Sequence, residues 1–277
     1  MGAPSASSFV NISGVSLVYG KKDRTKALDE LNMAITEGQF VAVVGPSGCG
    51  KSSLMKLVTG LRRPTSGTID VGGQRIDRPL KIVGMAFQNP TLLPWRRTLS
   101  NVMLPMEIVE PHRYSFRADR KQHEARALAL LDSVGLDGFA TKFPWQLSGG
   151  MQQRASLCRA LMHQPSLLML DEPFGALDAF TREELWDVLQ DIWLAQKCTT
   201  LLVTHDLREA VYLADKVFVM SARPGRIIET YDVTFPRPRR PDLVFDPAFA
   251  DIVQHLRENI RHQRHVPKAA GPGRAAS

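Results

Sequence analysis

LSGGMQQR at residues 147–154 decides the fold when it is set beside GPSGCGKS at residues 45–52. GPSGCGKS is a Gly-rich loop ending in Lys-Ser, and such a loop holds phosphates through backbone N–H groups, an ammonium and a Mg²⁺-binding hydroxyl. LSGGMQQR is a serine followed by two glycines and a helix-forming run, so it presents a capped helix N-terminus to an anion. Together they indicate a protein that binds ATP between two copies of itself.

The composition is that of an ordinary globular protein. The chain has 277 residues, of which 44% are apolar and 23% charged, and its apolar runs fall short of the roughly 18 residues that a membrane span needs. Residues 1–8 lack the features of a secretory signal, and we expect a disordered start to a cytoplasmic protein. Three cysteines without paired spacing fit a reducing compartment. The net charge of +7 favours an anionic partner, and lipid headgroups, nucleic acid and acidic protein surfaces all stay open.

The order of apolar segments predicts an α/β fold with a nucleotide-binding core. An apolar run at residues 40–44 precedes the Gly-rich loop, and a helical pattern ending at Gly60 follows it. Later strands alternate with helices, which implies a mostly parallel sheet with crossover helices. Alternating segments at 9–18, 31–35, 68–71 and 81–87 predict a small N-terminal β layer. The later predicted elements are strands at 167–170, 199–203 and 217–220 and helices at 181–195 and 207–214.

Two further regions differ in composition from this core. Residues from about 89 to 160 predict a helical subdomain that carries LSGGMQQR, and within it the segment 120–134 has apolar residues at helical spacing. Those residues are Ala125, Leu128, Leu131 and Val134. Beyond residue 229, where we expect the ATPase domain to end, residues 230–277 predict a basic extension with one helix near 247–262 and a disordered tail.

Residues suited to ATP hydrolysis follow the predicted core strands, where parallel sheets collect their ligands. Lys51 supplies positive charge in the Gly-rich loop, and Ser52 is expected to ligate Mg²⁺. Asp171 and Glu172 follow the apolar run LLML. Asp171 suits Mg²⁺, whereas Glu172 is predicted to polarise or deprotonate the attacking water. His205 follows the next strand and is predicted to bind a γ-phosphate oxygen.

Other candidates complete the predicted site. Gln88 ends the 81–87 segment and could sense Mg²⁺ or the attacking water. Cys49 lies beside the phosphates, and we expect Lys51 and helix N–H groups to favour a thiolate that alkylating agents label unless ATP covers it. The complete set of predicted nucleotide contacts is Gly45, Pro46, Ser47, Gly48, Cys49, Gly50, Lys51, Ser52 and Ser53, with Ser148, Gly149 and Gly150 reaching the ATP of the second copy.

With these residues the chain, over residues 9–229, resembles the ATP-binding subunit of ABC transporters. The resemblance implies a RecA-like P-loop NTPase core, an N-terminal antiparallel β subdomain and a helical subdomain bearing the signature. It also implies ATP hydrolysis with Mg²⁺, held by Ser52, Gln88 and Asp171, in a head-to-tail dimer. Tyr19 stands where the family has an aromatic that stacks on adenine. The matching motifs are LSGGMQQR (signature), GPSGCGKS (Walker A), LLMLDE (Walker B), Gln88 (Q-loop), residues 175–178 (D-loop) and His205 (switch histidine).

Three longer stretches are similar to an importer group for nitrate, sulfonate and taurine. They are QNPTLLPWRRTLSNV at residues 88–102, DEPFGALD at 171–178 and SARPGRI at 221–227. This resemblance implies a peripheral subunit at the cytoplasmic face of the inner membrane, which drives a transmembrane permease fed by a periplasmic solute-binding protein. It also implies that Pro94, Trp95, Arg96 and Arg97 dock the permease. A pyrimidine or bicarbonate stays open as the cargo.

Two other classes of protein use a similar ATPase. A soluble factor that acts on nucleic acid or the ribosome is one, but the short interval between Gln88 and Leu147 leaves no room for a coiled-coil arm, and we expect no specific nucleic-acid partner. A catalytically silent subunit is the other, and intact Lys51, Glu172 and His205 argue against it. The sequence leaves open the cargo, the role of residues 230–277, the stoichiometry of transport and whether the second ATPase is identical or a paralogue.

Overall fold

The computed structural model describes residues 8–20, 24–175 and 177–264, and the predicted disordered start (apart from Ser8) and tail lie outside them. In these residues no helix is both long enough and apolar enough to cross a bilayer. The strands are β1 (Ser8–Tyr19), β2 (Thr25–Thr36), β3 (Phe40–Val44), β4 (Ser66–Val71), β5 (Gln74–Arg75), β6 (Val83–Ala86), β7 (Leu167–Asp171), β8 (Thr199–Thr204), β9 (Lys216–Met220) and β10 (Ile227–Asp232). The helices are α1 (Lys51–Val58), α2 (Thr98–Val102), α3 (Leu104–Ile108), α4 (His112–Ser115), α5 (Arg120–Ser133), α6 (Gly149–Leu161), α7 (Ala179–Gln196), α8 (Leu207–Leu213) and α9 (Pro247–Arg264).

The main sheet has the strand order β10-β9-β3-β8-β7-β6. All its neighbouring strands are parallel except β10, which pairs antiparallel with β9 at one edge. The central strand β3 is buried along its whole length because Phe40, Ala42 and Val44 pack into one core and Val41 and Val43 into a second. A continuous apolar run is what a strand covered on both faces requires. The predicted α/β fold with a mostly parallel sheet is confirmed.

A second sheet with the order β2-β1-β4-β5 forms the predicted N-terminal antiparallel layer. The assignment of residues 81–87 to this layer is wrong. They contain β6, which pairs in parallel with β7 at the edge of the main sheet. α6 packs so closely on β6 that a Cβ on Gly84 would lie 2.2 Å from the carbonyl oxygen of Ala160. Because β6 belongs to the main sheet, Gln88, two residues beyond β6, lies on the same side of the sheet as the carboxyl ends of β7 and β8.

The buried face of α5 differs from the one that the apolar spacing predicts. Leu131 and Val134 are buried, but Ala125 and Leu128 are exposed. The buried face includes a histidine, which stacks on the ring of Phe116 at a centroid distance of 5.8 Å. A prediction based only on apolar residues omits this histidine. The predicted buried face of α5 is therefore rotated about the helix axis relative to the observed one. The buried residues of α5 are His123, Ala127, Leu130 and Leu131.

The Pro- and Arg-rich segment after the core packs on the core. β10 continues the main sheet across the boundary predicted after residue 229. Arg239 is buried, and its Nη1 donates to the carbonyl oxygens of Val211, Tyr212 and Ala214 at 3.0, 2.8 and 2.8 Å. The last carbonyls of a helix lack partners within the helix. Arg239 therefore supplies the hydrogen-bond donors for these carbonyls at the end of α8. The division of the chain into domains stays a prediction.

Candidate nucleotide site

The Gly-rich loop joins β3 to α1 and forms a cradle at the helix N-terminus. The N-cap residue of α1 is Gly50, with φ 113° and no side-chain hydrogen bond to the helix, so an anion can bind the first N–H groups. A Cβ on Gly50 would lie 2.7 Å from Leu28 Cδ2 and 3.0 Å from the carbonyl oxygen of Ala27. Both the positive φ and the close approach of β2 therefore require glycine at this position.

Lys51 carries the positive charge of this cradle. Its Nζ donates to the carbonyl oxygens of Gly45 at 2.9 Å and Pro46 at 3.3 Å, although the residue is only 7% exposed. In the described part of the chain it forms no ion pair with a carboxylate. A buried ammonium with neutral acceptors suits a ligand that brings negative charge. The loop thus fits the phosphates of ATP.

Three of the predicted catalytic side chains meet at the carboxyl edge of the main sheet. Glu172 follows β7, and its backbone N–H donates to the carbonyl oxygen of Val203 at 2.8 Å. Its Oε2 lies 3.2 Å from Nδ1 of His205 and 3.4 Å from Nε2 of Gln88. The three residues converge because β6, β7 and β8 are neighbours whose carboxyl ends share one edge. We call Gln88, Glu172 and His205 the carboxyl-edge cluster.

The backbone of Glu172 is strained. Its φ of 47° lies in the left-handed region, which costs a residue with a Cβ on the order of 1–3 kcal/mol. Its carbonyl oxygen accepts a hydrogen bond from the N–H of Gly175 at 3.2 Å, and the turn that this bond closes leads into the predicted D-loop. Such strain persists where surrounding contacts impose it, often at functional sites. The tight turn keeps Glu172 at the end of β7.

Asp171 and its neighbours fit a Mg²⁺ ion by their donor atoms. Burial raises the pKa of the Asp171 carboxyl, the charge of Glu172 raises it further, and the Lys51 ammonium opposes both effects. A bound cation would relieve this cost of holding two carboxylates together. The carboxylate of Asp171, the hydroxyl of Ser52 and the amide oxygen of Gln88 are the hard donors that Mg²⁺ prefers. The Mg²⁺ roles of these three residues stay predictions.

The LSGGMQQR segment opens α6 as the sequence predicts. The Ser148 hydroxyl accepts a hydrogen bond from the N–H of Met151 at 3.2 Å and so caps the helix. Ser148 and Gly149 are exposed, whereas a Cβ on Gly150 would lie 2.8 Å from Leu177 Cδ2. The contact between Gly150 and Leu177 was not predicted. Within the described ranges no hydrogen bond joins this segment to the Gly-rich loop, so its exposed end can receive an anion held by another chain.

Tyr19 lies beside the Gly-rich loop, as stacking on adenine would require. Its hydroxyl is 3.1 Å from Oγ of Ser53. The guanidinium of Arg62 lies 4.1 Å above the ring centroid, a favourable cation–π contact. Arg62 therefore covers one face of the ring, and the stacking of Tyr19 on adenine stays a prediction. No sequence pattern indicated Arg62, because only the fold brings the residues after α1 to the end of β1.

The predicted reactivity of Cys49 is wrong. The side chain is 1% exposed and packs in the core between the two sheets. Burial raises the pKa of its thiol, and the Lys51 ammonium only partly opposes this effect. The thiolate is the reactive form of cysteine, so Cys49 is a packing residue of the loop and not a reactive group.

A buried carboxyl that the sequence did not reveal lies behind the His205 loop. The Thr204 hydroxyl donates to Oε2 of Glu209 at 2.8 Å and accepts from the N–H of Asp206 at 3.0 Å. The pKa of Glu209 is raised to about 8, chiefly by burial and also by the charges of Asp206 and Glu172, although the Thr204 hydrogen bond and Arg182 partly oppose the rise. A glutamate in the first turn of a helix is ordinary in a sequence, so only its burial marks it.

Glu209 should make the stability of the protein fall as the pH rises. A carboxyl with a raised folded pKa contributes fully below its unfolded value of 4.5 and loses that contribution as the pH approaches about 8. The loss is up to about 1.4 kcal/mol per pH unit. Urea unfolding at about pH 5.5 and about pH 7.5 should show wild type losing stability relative to Glu209→Gln as the pH rises. Equal pH slopes for the two proteins would contradict this assignment.

Comparison with known proteins adds sequence relatives. The family described as "ABC transporter" matches residues 28–175. The aliphatic sulfonates import ATP-binding protein SsuB of Bacillus licheniformis is 43% identical over 239 residues, covering 86% of this chain and 89% of the relative. The bicarbonate transport ATP-binding protein CmpD of Synechocystis is 42% identical over 249 residues, covering 88% and 86%. The match therefore extends over nearly the whole length of each relative.

A solved structure extends the likeness to three dimensions. It is the dimeric structure of a post-hydrolysis state of an ATP-binding cassette bound to ADP and Pi. The TM-score is 0.72 at 29% identity, and the alignment covers 82% of this chain and all of the other. The likeness in fold thus covers most of this chain and the whole of that structure.

Proposed function

The chain belongs to the ATP-binding family of ABC transporters, and from this premise we propose that it is the ATP-hydrolysing subunit of a membrane importer for a small anionic solute. The family assignment and the fold account for ATP binding and hydrolysis. The observation that carries the coupling to a membrane partner is an exposed apolar groove directly beside the segment that follows Gln88.

Each residue of the site has a proposed part in hydrolysis. Lys51 and the N–H groups of α1 bind the phosphates of ATP. Glu172 polarises the attacking water, a role worth about 10²- to 10⁴-fold in rate. His205 holds the γ-phosphate. Ser52, Asp171 and Gln88 would hold Mg²⁺, which would neutralise part of the charge on the phosphates.

The second half of the site comes from a second ATPase chain. Ser148 and Gly149 form an exposed, capped helix N-terminus, which among the described residues has no hydrogen bond to the Gly-rich loop of its own chain. A head-to-tail dimer gives each α6 an ATP held by the partner, and the dimeric state of the solved relative supports this arrangement. ATP binding and dimer closure are then coupled to each other.

The groove offers an apolar surface to the permease. Its volume is about 350 Å³. Ile108 in its lining is 60% exposed, and Trp95, in the segment that follows Gln88, is 70% exposed. Exposed apolar surface of this kind marks an interaction site. We propose that an apolar segment of the transmembrane permease binds here. The groove is lined by Val83, Met85, Phe87, Thr91, Leu104, Pro105, Ile108, Val109, Arg159, Ala160 and His163.

Two of the four predicted docking residues have partners within the chain. The Arg96 guanidinium donates to both carboxylate oxygens of Glu107 at 2.7 and 2.9 Å. The Arg97 guanidinium lies 4.9 Å above the ring of Phe143. A charge reversal at either arginine would therefore disturb the subunit itself. Trp95 tests docking more cleanly.

The chemistry of the relatives supports a small anion as the cargo. Their names specify aliphatic sulfonates and bicarbonate, and we propose a solute of the nitrate, sulfonate or taurine class, with bicarbonate or a pyrimidine as the alternative. A periplasmic solute-binding protein delivers it through the permease. The chain then works as a peripheral protein at the cytoplasmic face of the inner membrane.

Trp95→Ala should separate docking from ATP binding. Loss of an exposed aromatic anchor typically weakens an interface by about tenfold or more. The variant is expressed in cells that lack the gene for this protein. At least about tenfold less permease should copurify with it than with wild type, and it should not restore uptake of a labelled sulfonate. ATP binding should stay within about twofold, because Trp95 lies outside the Gly-rich loop and the carboxyl-edge cluster.

Trp145→Ala is the matched control. Trp145 is 64% exposed and belongs to the same helical layer, where it stacks on Phe143 at 4.5 Å. If both variants lost the permease equally, the result would count against specific docking of the permease beside the groove. Copurification of nucleic acid or ribosomes with wild type, in place of a permease, would instead support the soluble class. If wild type restored uptake of bicarbonate and not of a sulfonate, only the proposed cargo would change, and the proposed role as the ATPase of an importer would stand.

A further inference from the structure

Arg182 of α7 joins the two loops on either side of the carboxyl-edge cluster. Its Nη1 donates to Oδ2 of Asp206 at 3.0 Å, and its Nη2 donates to the carbonyl oxygen of Leu177 at 3.1 Å. Asp206 directly follows His205, and Leu177 lies in the predicted D-loop after Glu172. One side chain therefore holds the loop of the histidine and the loop of the glutamate at once.

The contact with Asp206 fixes the position of His205. Oδ1 of Asp206 accepts hydrogen bonds from the N–H groups of Arg208 at 2.9 Å and Glu209 at 3.4 Å, and so caps α8. On the other side of His205, the Thr204 hydroxyl accepts from the N–H of Asp206. Asp206 thus anchors the loop that carries His205. Arg182 connects Asp206 to α7.

The contact with Leu177 fixes the turn that begins at Glu172. Gly175 donates to the carbonyl oxygen of Glu172 at 3.2 Å, and the N–H of Leu177 donates to that of Phe174 at 3.1 Å. The Leu177 side chain is buried and lies against Gly150 at the start of α6. The end of this turn is therefore held between Arg182 and the helix N-terminus that is proposed to bind the partner's ATP.

We propose that Arg182 is a positioning residue that sets the separation of Glu172 and His205. The inference rests on the proposed function of that pair. Arg182 acts through Asp206 and Leu177 and does not touch the reacting atoms. A guanidinium can donate to a carboxylate and a carbonyl at the same time because its planar fork directs its N–H groups at separate acceptors. A displacement of about 1 Å at a reacting pair can cost about 10²-fold in rate.

The chain offers a matched control on the same two helices. Nη2 of Arg208 on α8 pairs with Oε1 of Glu183 on α7 at 3.1 Å, and the two side chains are 47% and 36% exposed. Arg208→Ala therefore removes an ion pair between α7 and α8 but leaves the contacts of Arg182 in place. It separates a loss of general helix packing from a loss of loop positioning.

The test measures ATP turnover and ATP binding in the full-length chain. Arg182→Ala should lower kcat by about 10- to 100-fold and change KM and the Kd for ATP by less than about threefold. Arg182→Lys keeps the charge but loses the fork, and it should recover part of kcat. Arg208→Ala should stay within about twofold of wild type. If Arg182→Ala does not fold, Arg182→Lys provides the test: a lower kcat with a KM close to that of wild type would support the proposal.

A double-mutant cycle with Asp206→Asn tests the route. If Arg182 acts through Asp206, the double variant should lose no more than about the larger single loss. Wild-type kcat in Arg182→Ala, or equal losses in kcat, ATP affinity and thermal stability that Arg208→Ala reproduces, would overturn the inference. An inactive Glu172→Gln beside a fully active Arg182→Ala would refute this inference alone, whereas an active Glu172→Gln would refute the proposed function of the pair.

Discussion

Glu172→Gln is expected to lower ATP turnover by about 10²- to 10⁴-fold and to leave ATP binding within about threefold. The amide has nearly the same shape as the carboxylate but cannot take a proton from water. We expect the Gly-rich loop to be unchanged by the substitution, because in the part of the chain that the structure describes Lys51 and the N–H groups of α1 make no hydrogen bond to Glu172. The chemical step should therefore fail while nucleotide binding persists.

The assembled transporter is the preparation in which to measure this change. Phosphate release at saturating ATP gives turnover, and equilibrium dialysis with labelled ATP gives binding. Glu184→Gln is the matched control, since Glu184 is an exposed residue of α7 away from the carboxyl-edge cluster. Turnover at the wild-type rate in Glu172→Gln would show that another residue polarises the water.

Ser148→Glu, placed in the Glu172→Gln chain, should abolish ATP-dependent dimerisation. The new carboxylate would face the triphosphate of the partner's ATP, and like charges brought together at an interface cost several kcal/mol, which raises the dimer Kd by about 100-fold or more. The helix should survive the change, because a negative group is favourable at a helix N-terminus. The same chain should still bind ATP at its own Gly-rich loop.

Light scattering with and without ATP measures the dimer. Glu172→Gln alone should dimerise when ATP is added, since it binds ATP and does not hydrolyse it. Ser133→Glu in the same background is the control: Ser133 is an exposed serine at the end of α5, in the same helical layer. A dimer that forms equally well with Ser148→Glu, or a Ser148→Glu chain that binds no ATP as a monomer, would contradict the head-to-tail arrangement.

Local sequence predicted most of the main sheet. The β3 run, the Gly-rich loop and α1 follow one another as expected, because a buried strand and a helix start each have a signal within a few residues. The same local reasoning found Glu172 and His205, since each directly follows a strand that an apolar run makes visible. The sheet then brought their side chains within 3.2 Å.

Two of the wrong predictions depended on contacts between distant segments. β6 looks like a strand of the small sheet until it pairs with β7. Cys49 has a cationic neighbour in sequence, yet its burial outweighs that neighbour. In each case the deciding partner lies in another element.

The sequence by itself determined the nucleotide chemistry of this protein, because phosphate loops and helix caps are built from consecutive residues whose types limit their backbone geometry. Only the tertiary structure decided which loops hold one another. Arg182 and Glu209 are ordinary helix residues in the sequence. They become an anchor and a buried acid because folding brings α7 and α8 against the carboxyl edge of the sheet. The Arg182–Asp206 contact joins residues 24 apart in the chain, and the burial that raises the pKa of Glu209 leaves no pattern in the sequence.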